Sequence, residues 1–307
     1  MGIRKGTLAV ALLLIIAAAC QRPVLPPQST GRPRAVVTLF PLYDFARAVA
    51  GDHAEVKMLL SPGMEPHGYE PSPSDVAGIA SANLFIYTGA AMEPWVERIL
   101  KSAPNPRRLT VDTSKGIVLT GDGDDGHHHE HGWDPHIWLD FENARKMVIS
   151  IADAFAQADT PNTKLYKDNA AAYNKQLEEL DAEFQKGLAQ CATRELIHGG
   201  HYAFGYLARR YRLEYHAAYG FSPEAETSPN TMMALTKRVK ASGARAVFYE
   251  ELVLPKTAQA IAGEAGVPLL QLNAGHNVTR EQLAGGVNFI GLMRENLENL
   301  RTGLGCE

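Results

Sequence analysis

Short apolar runs and segments of helical period alternate along most of this chain. Ala35-Val36-Val37-Thr38-Leu39 is a short, β-rich run, and Tyr43 to Ala50 is helical in pattern. Val56-Lys57-Met58-Leu59-Leu60 reads as a second strand, closed by Pro and Gly. Ser74-Asp75 reads as the cap that opens the next helix. Leu84-Phe85-Ile86-Tyr87 is a buried strand, and Trp95 to Lys101 is helix again. Strands separated by single helices predict βαβ units and a parallel sheet.

From Phe141 onward the pattern turns helical for a long stretch. Thr160 followed by Pro161 is a capping residue with Pro at the first helical position. No further proline occurs before Gln190, and Gly187 is the only glycine in that span. Leu165, Ala172, Leu177, Leu180 and Phe184 recur along it. A single helix from Pro161 to Gln190 would run roughly 40 Å, enough for a rigid strut between two domains. Two shorter helices meeting at a kink are the alternative. Alternation then resumes, with strands at Glu195–His198, Leu213–His216, Ala246–Tyr249 and Pro268–Leu272. Helices are predicted at Thr231–Ala241, Lys256–Ala265 and Gly285–Leu300. The expected fold class is α/β, with two β/α lobes joined by a long rigid α-helix. The division reads as a first lobe over 35–140, a linking helical segment over 141–190 and a second lobe over 191–307.

The N-terminus changes the picture by setting a compartment. Arg4 and Lys5 precede an apolar stretch from Leu8 to Ala19, which ends in Ala17-Ala18-Ala19-Cys20. That layout predicts a signal peptide over residues 1–19. The apolar run is about a dozen residues, shorter than the ~20 a spanning helix needs. A Cys directly after small residues resembles the bacterial lipobox, with Ala17 where Leu is usual. Cys20 then becomes a lipidated N-terminus; an ordinary cleaved signal is the alternative. Residues 20–34 hold Pro23, Pro26, Pro27 and Pro33 and read as a stiff, extended tether. The expected location is the cell envelope, as an exported lipoprotein on a periplasmic or extracellular face that touches the membrane only through its lipid.

Net charge is −4, with no basic patch of the kind nucleic acid requires. With Cys20 assigned to lipid, Cys191 and Cys306 remain. A pair of cysteines in an oxidising compartment predicts one disulfide. Closing so long a loop stabilises by up to ~4–5 kcal/mol. Two free thiols are the alternative.

Candidate chemistry lies in the histidines, of which there are 11. Four sit in short, distinctive motifs. His67 ends Pro62-Gly63-Met64-Glu65-Pro66-His67, and His136 lies in Asp134-Pro135-His136-Ile137-Trp138-Leu139. His201 opens His201-Tyr202-Ala203-Phe204-Gly205-Tyr206, and His276 ends Leu272-Asn273-Ala274-Gly275-His276. Imidazole is the commonest neutral metal ligand. In open α/β sheets, ligands bind outside the carboxyl ends of strands. His67, His201 and His276 each follow an expected strand there. Two histidines from each half predict a metal site in the interlobe cleft. Asp134 and Glu65 are near enough in sequence to accept a ring N–H and fix its tautomer. His53, His198 and His216 read as ordinary polar positions. The loop over 121–132 is different. Its run Asp122 to His131 holds His127, His128, His129 and His131 beside four acids, with no apolar residue. It cannot bury a core and reads as an auxiliary loop that binds metal weakly.

The segment Pro62 to Asp75, the segment Asp134 to Asp140 and the segment His198 to Leu207 occur here in order. With Ser222-Pro223-Glu224 and Phe248-Tyr249-Glu250 they resemble the metal-binding solute receptors of ABC transporters, the ZnuA-type and adhesin-like lipoproteins that import zinc or manganese. The resemblance covers nearly the whole chain past residue 35. It implies two α/β lobes joined by a long helix, with metal between them and His67, His136 and His201 as ligands. Members with an acidic, His-rich loop before the second ligand are typically the zinc-handling ones. The family's fourth ligand is usually Asp or Glu after the last strand of the second lobe. Counting back from Met293-Arg294-Glu295-Asn296-Leu297 places His276 there, with Asn273 as the rival. Three or four imidazoles favour zinc over manganese, which prefers oxygen.

The implied function is a monomeric receptor that delivers Zn2+ to the membrane permease of an ABC importer, and not an enzyme. A manganese (Mn2+) or iron receptor of the same family is one alternative. A zinc hydrolase is another, with three ligands, a bound water and Glu65 or Glu250 as base. No His-Glu-x-x-His helix supports the hydrolase. A second role in adhesion is also open.

Overall fold

The structure is a computed structural model that describes residues 31–121, 132–221, 227–252 and 254–307. The signal peptide, Cys20 and most of the tether lie outside the described residues, as do His127, His128, His129, His131 and Ser222-Pro223-Glu224. In the first half, strands β1 (Arg34–Val37), β2 (Glu55–Met58), β3 (Leu84–Tyr87) and β4 (Leu109–Asp112) form one sheet in the order β2-β1-β3-β4. Every pairing is parallel. Val36, Val37, Phe85 and Ile86 are buried, which is why these strands read as unbroken apolar runs rather than alternating ones. Helices α1 (Phe40–Ala50), α2 (Pro73–Ser81) and α3 (Val96–Ser102) make the crossovers.

The cap of α2 differs from the expectation at Ser74-Asp75. Ser72 is the N-cap, Pro73 takes the first helical position, and Asp75 closes a capping box with Ser72. Strand β4 was not anticipated. Its burial is only partial, so it lacks the apolar signature of β1 and β3.

Two helices form the linking segment, α4 (Phe141–Ala158) and α5 (Thr163–Gly187). Asp140 caps α4 by accepting the N–H of Glu142 at 2.9 Å. Thr160–Asn162 is a turn of 3-10 helix, so α5 begins two residues later than Thr160 and Pro161 suggested. Asp159 explains the delay. Its carboxylate accepts from Asn162 Nδ2 and from Tyr166 Oη, both at 2.7 Å, and these bonds tie the turn down. At 25 residues α5 is about 37 Å long. It packs on α1 and on the closing helix of the second half, so one rigid element touches both.

The second half repeats the plan. Strands β5 (Glu195–His198), β6 (Glu214–Ala217), β7 (Val247–Glu250) and β8 (Leu269–Leu272) form a parallel sheet in the order β6-β5-β7-β8. Helices α6 (Gly205–Tyr211), α7 (Pro229–Ser242), α8 (Lys256–Ala265), α9 (Arg280–Ala284) and α10 (Phe289–Leu304) complete it. One closing helix from Gly285 was expected. Instead Asn288 starts α10 by accepting the N–H of Gly291 at 2.8 Å, and Thr279 and Gln282 box the start of the short α9. Cys191 and Cys306 are joined by a disulfide that closes a loop of sequence separation 115. Among the described residues, no helix is long and apolar enough to cross a membrane.

Candidate metal centre

Both sheets reverse their strand order in the middle, between β1 and β3 and between β5 and β7. Ligands of open parallel sheets bind at such points, beyond the carboxyl ends of the strands. His201 stands three residues past β5, and Glu250 ends β7 beside it. His276 follows β8, His67 lies in the loop between β2 and α2, and His136 directly precedes the 3-10 turn Ile137–Leu139.

The fold brings these four histidines together. One ligand atom from each lies within 4.8 Å of one from every other. Ring-centroid separations for all six pairs run from 4.8 to 5.4 Å. Four points nearly equidistant in every pair are the corners of a near-regular tetrahedron. Nε2 of His136 is 3.4 Å from Nε2 of His67 and 3.3 Å from Nε2 of His201. A tetrahedral zinc with Zn–N bonds of 2.0–2.1 Å has nitrogen–nitrogen edges of about 3.3–3.4 Å. The donor set and its spacing therefore fit that ion.

Local chemistry aims each ring. His136 is fully buried, and Asp134 accepts both its backbone N–H, at 3.0 Å, and its Nδ1–H, at 2.7 Å. The carboxylate of Glu250 pairs with Nδ1 of His201. In both, the nitrogen away from the cluster is held and Nε2 faces inward. Gly200 makes room for this pair, because a Cβ there would come within 2.8 Å of the Glu250 carboxylate. Glu65 does not take the ring role expected of it; it accepts the backbone N–H of His67 at 3.0 Å.

The His276 loop is docked on the first half. Gly275 turns it with φ +74°, a conformation glycine adopts freely. His276 O accepts from Phe40 N at 3.2 Å, Ala274 O accepts from Trp138 Nε1 at 2.7 Å, and Asn277 Nδ2 donates to Ser61 O at 2.7 Å and Met64 O at 3.0 Å. Asn273, the rival for the fourth position, spends its side-chain oxygen on Gly275 N at 2.7 Å.

Burial sets the charge states. It holds the imidazoles of His67 and His136 well below their ordinary pKa, and the neighbouring imidazoles add to the effect. Both are therefore neutral, the form that ligates. Burial pushes the Asp134 carboxyl up to about 8. Burial alone would raise Glu250 as well, but the hydrogen bond with His201 and the surrounding imidazoles outweigh it and hold it low. A cation in the cluster favours the ionised form of both.

Sequence reasoning missed three supporting groups. His198 is no surface residue: it is fully buried, with Nδ1 3.1 Å from His201 O, and burial lowers its pKa to about 4. Trp138 anchors the His276 loop. Glu251 accepts Ala274 N–H at 2.9 Å; its place just past β7 is the signal that would have found it. A second grouping, Glu195, Glu214 and His216, is less suited to metal because Arg238 already lies on both carboxylates.

Two parallel α/β sheets thus carry one buried histidine cluster beyond the carboxyl ends of their strands. Residues 35–303 match the family model for the periplasmic zinc-uptake complex component A, and the chain belongs to that family. The zinc-binding lipoprotein AdcA of Streptococcus pneumoniae is 37% identical over 285 residues, which cover 89% of this chain and 56% of that protein. The chain thus spans about half the length of that relative. The high-affinity zinc uptake system protein ZnuA of Bacillus subtilis is 30% identical over 98% of this chain and 97% of its own. The crystal structure of the Zn(II)-bound ZnuA-like domain of the pneumococcal AdcA superposes with a TM-score of 0.77 at 34% identity, covering 89% of this chain and 99% of that one.

Proposed function

We propose that this protein is an extracytoplasmic receptor that binds one Zn2+ through His67, His136, His201 and His276 and hands it to the membrane permease of an ABC importer. The observation that carries this reading is the buried near-tetrahedron of imidazoles, with nitrogen edges of 3.3 and 3.4 Å. Four neutral nitrogen donors suit zinc and offer manganese none of the oxygen it prefers. The names of the relatives point the same way. A catalytic zinc keeps an open position and a free base nearby. Here a fourth imidazole stands at that position, and Glu250 and Glu65 are both engaged, which favours transport over hydrolysis.

The remaining assignments belong to the same proposal. Lobes over 35–140 and 191–307 flank the linking segment 141–190. Cys20 carries the lipid that tethers a monomer to the envelope, and His127, His128, His129 and His131 gather metal weakly beside the tight site. His67, the least buried of the four, closes the cluster from outside. The test is elemental analysis of protein purified without added metal, followed by calorimetric competition between zinc and manganese. One tight equivalent of zinc, displaced poorly by manganese, is the expected result. Equal affinities would overturn the zinc assignment.

A further inference from the structure

Three of the four imidazoles have a carboxylate beside the ring nitrogen that faces away from the cluster, but only two of those contacts are closed. Asp134 holds His136 and Glu250 holds His201. Glu251 Oε1 lies 3.6 Å from Nδ1 of His276, beyond hydrogen-bond length. Glu251 and His276 are 8% and 4% exposed, and both Glu251 Oε1 and His276 Nε2 are buried without a hydrogen-bond partner. Buried polar atoms left unpaired are costly, and native folds retain few of them. The other oxygen of Glu251 accepts the N–H of Ala274 at 2.9 Å, two residues before His276. The carboxylate is thus already fastened to the loop that carries the ring. Two successive carboxylates reach two different loops because the chain leaves the strand here. Strand β7 ends at Glu250, and Leu252 takes a left-handed φ of 65°.

A neutral imidazole has one ring proton, and its position decides which nitrogen presents a lone pair. We infer that Glu251 is a positioning residue for the fourth ligand. Its carboxylate keeps the proton of His276 on Nδ1 and aims the Nε2 lone pair at the cation. With Asp134 and Glu250 it completes a set of three buried carboxyl groups, each beside the ring of one histidine. The inference rests on the reading of the four histidines as a zinc centre. It makes His276 and Glu251 one unit that brings a carboxylate to the metal at one remove.

The test compares zinc affinity, by chelator competition on the purified protein, for wild type, Glu251→Gln, His276→Ala and the double variant. Gln can still accept from Ala274 N–H, but its amide N–H then faces Nδ1 and draws the ring proton to Nε2. Zinc should bind about 10–100-fold more weakly to Glu251→Gln, with the unfolding midpoint of the apoprotein retained. The double variant should bind no more weakly than His276→Ala. Wild-type affinity in Glu251→Gln would overturn the inference. So would a double variant weaker than His276→Ala by that same factor, since Glu251 would then not act through His276. If wild type itself bound no zinc, the zinc centre would fall and the inference with it. Nitrogen-15 NMR of the zinc-loaded wild type gives a reading that needs no variant to fold. A His276 ring protonated at Nδ1 and bound through Nε2 is expected, and the reverse pattern overturns the proposal.

Discussion

Nε2 of His136 lies 3.4 Å from that of His67 and 3.3 Å from that of His201, and in the proposed centre each of the three supplies one corner of the coordination shell. Replacing any of the three with Ala removes an inner bond that no neighbour can replace. Tight zinc binding should be lost in each, by a thousandfold or more, which is about 4 kcal/mol. Both halves keep their cores, so circular dichroism should report folded protein. Calorimetry showing full affinity in one variant would strike that residue from the ligand set. His276→Ala should weaken binding less, because water can fill the vacancy. His276→Asp should restore affinity and relax the preference toward manganese. These candidate ligands were legible because each stands in a distinctive motif, and His67, His201 and His276 also follow an expected strand. Glu251 was not, since one acid after a strand looks like any polar turn residue until Ala274 is seen packed against it.

Among the elements, the ends of β1 and β3 are held by one buried acid. Glu93 accepts from Thr38 Oγ1 at 2.5 Å, Thr88 N at 3.2 Å and Gly89 N at 3.0 Å. Burial raises its pKa to about 7 even so. The unfolded chain releases this proton near pH 4.3, whereas the native state keeps it up to about 7. The contribution is therefore fully present below about pH 4.3 and is lost as pH rises through 7, at about 1.4 kcal/mol per unit. Urea midpoints between pH 5 and pH 8 should fall in wild type and fall less in Glu93→Gln. Identical slopes would mean that Glu93 is ionised in the native state throughout. In the second half the Cys191–Cys306 bridge closes a loop of separation 115. Exported protein should give a linked peptide in a non-reduced digest. The double Cys→Ser variant should lose up to ~4–5 kcal/mol of stability.

For the whole molecule, loops from both halves meet at the cluster, and α5 packs against both α1 and α10. Asp44 of α1 accepts both Tyr173 Oη of α5, at 2.6 Å, and Phe289 N of α10, at 3.0 Å. In the proposed centre a cation would bond to ligands from both halves at once. It should stabilise the native state alone, by ~4 kcal/mol at a thousandfold excess over Kd. Differential scanning calorimetry should show zinc raising Tm by several degrees and manganese much less. Equal shifts would argue against a nitrogen-only site.

Periodicity and turn chemistry act within a few residues, so the sequence alone determined what they control. That covers the two βαβ halves, the helical link between them and a candidate ligand set of four histidines. Strand β4 escaped it because its burial is only partial, and the late start of α5 because the side chain of Asp159 ties down the turn before it. Tertiary structure alone decided the rest. The contact of Trp138 with Ala274 and the pairing of His201 with Glu250 join positions far apart in the chain. So does the tetrahedral spacing of the rings. Such contacts exist only after two separate sheets have packed, and the hydrogen bonds that aim a buried imidazole are fixed at that step.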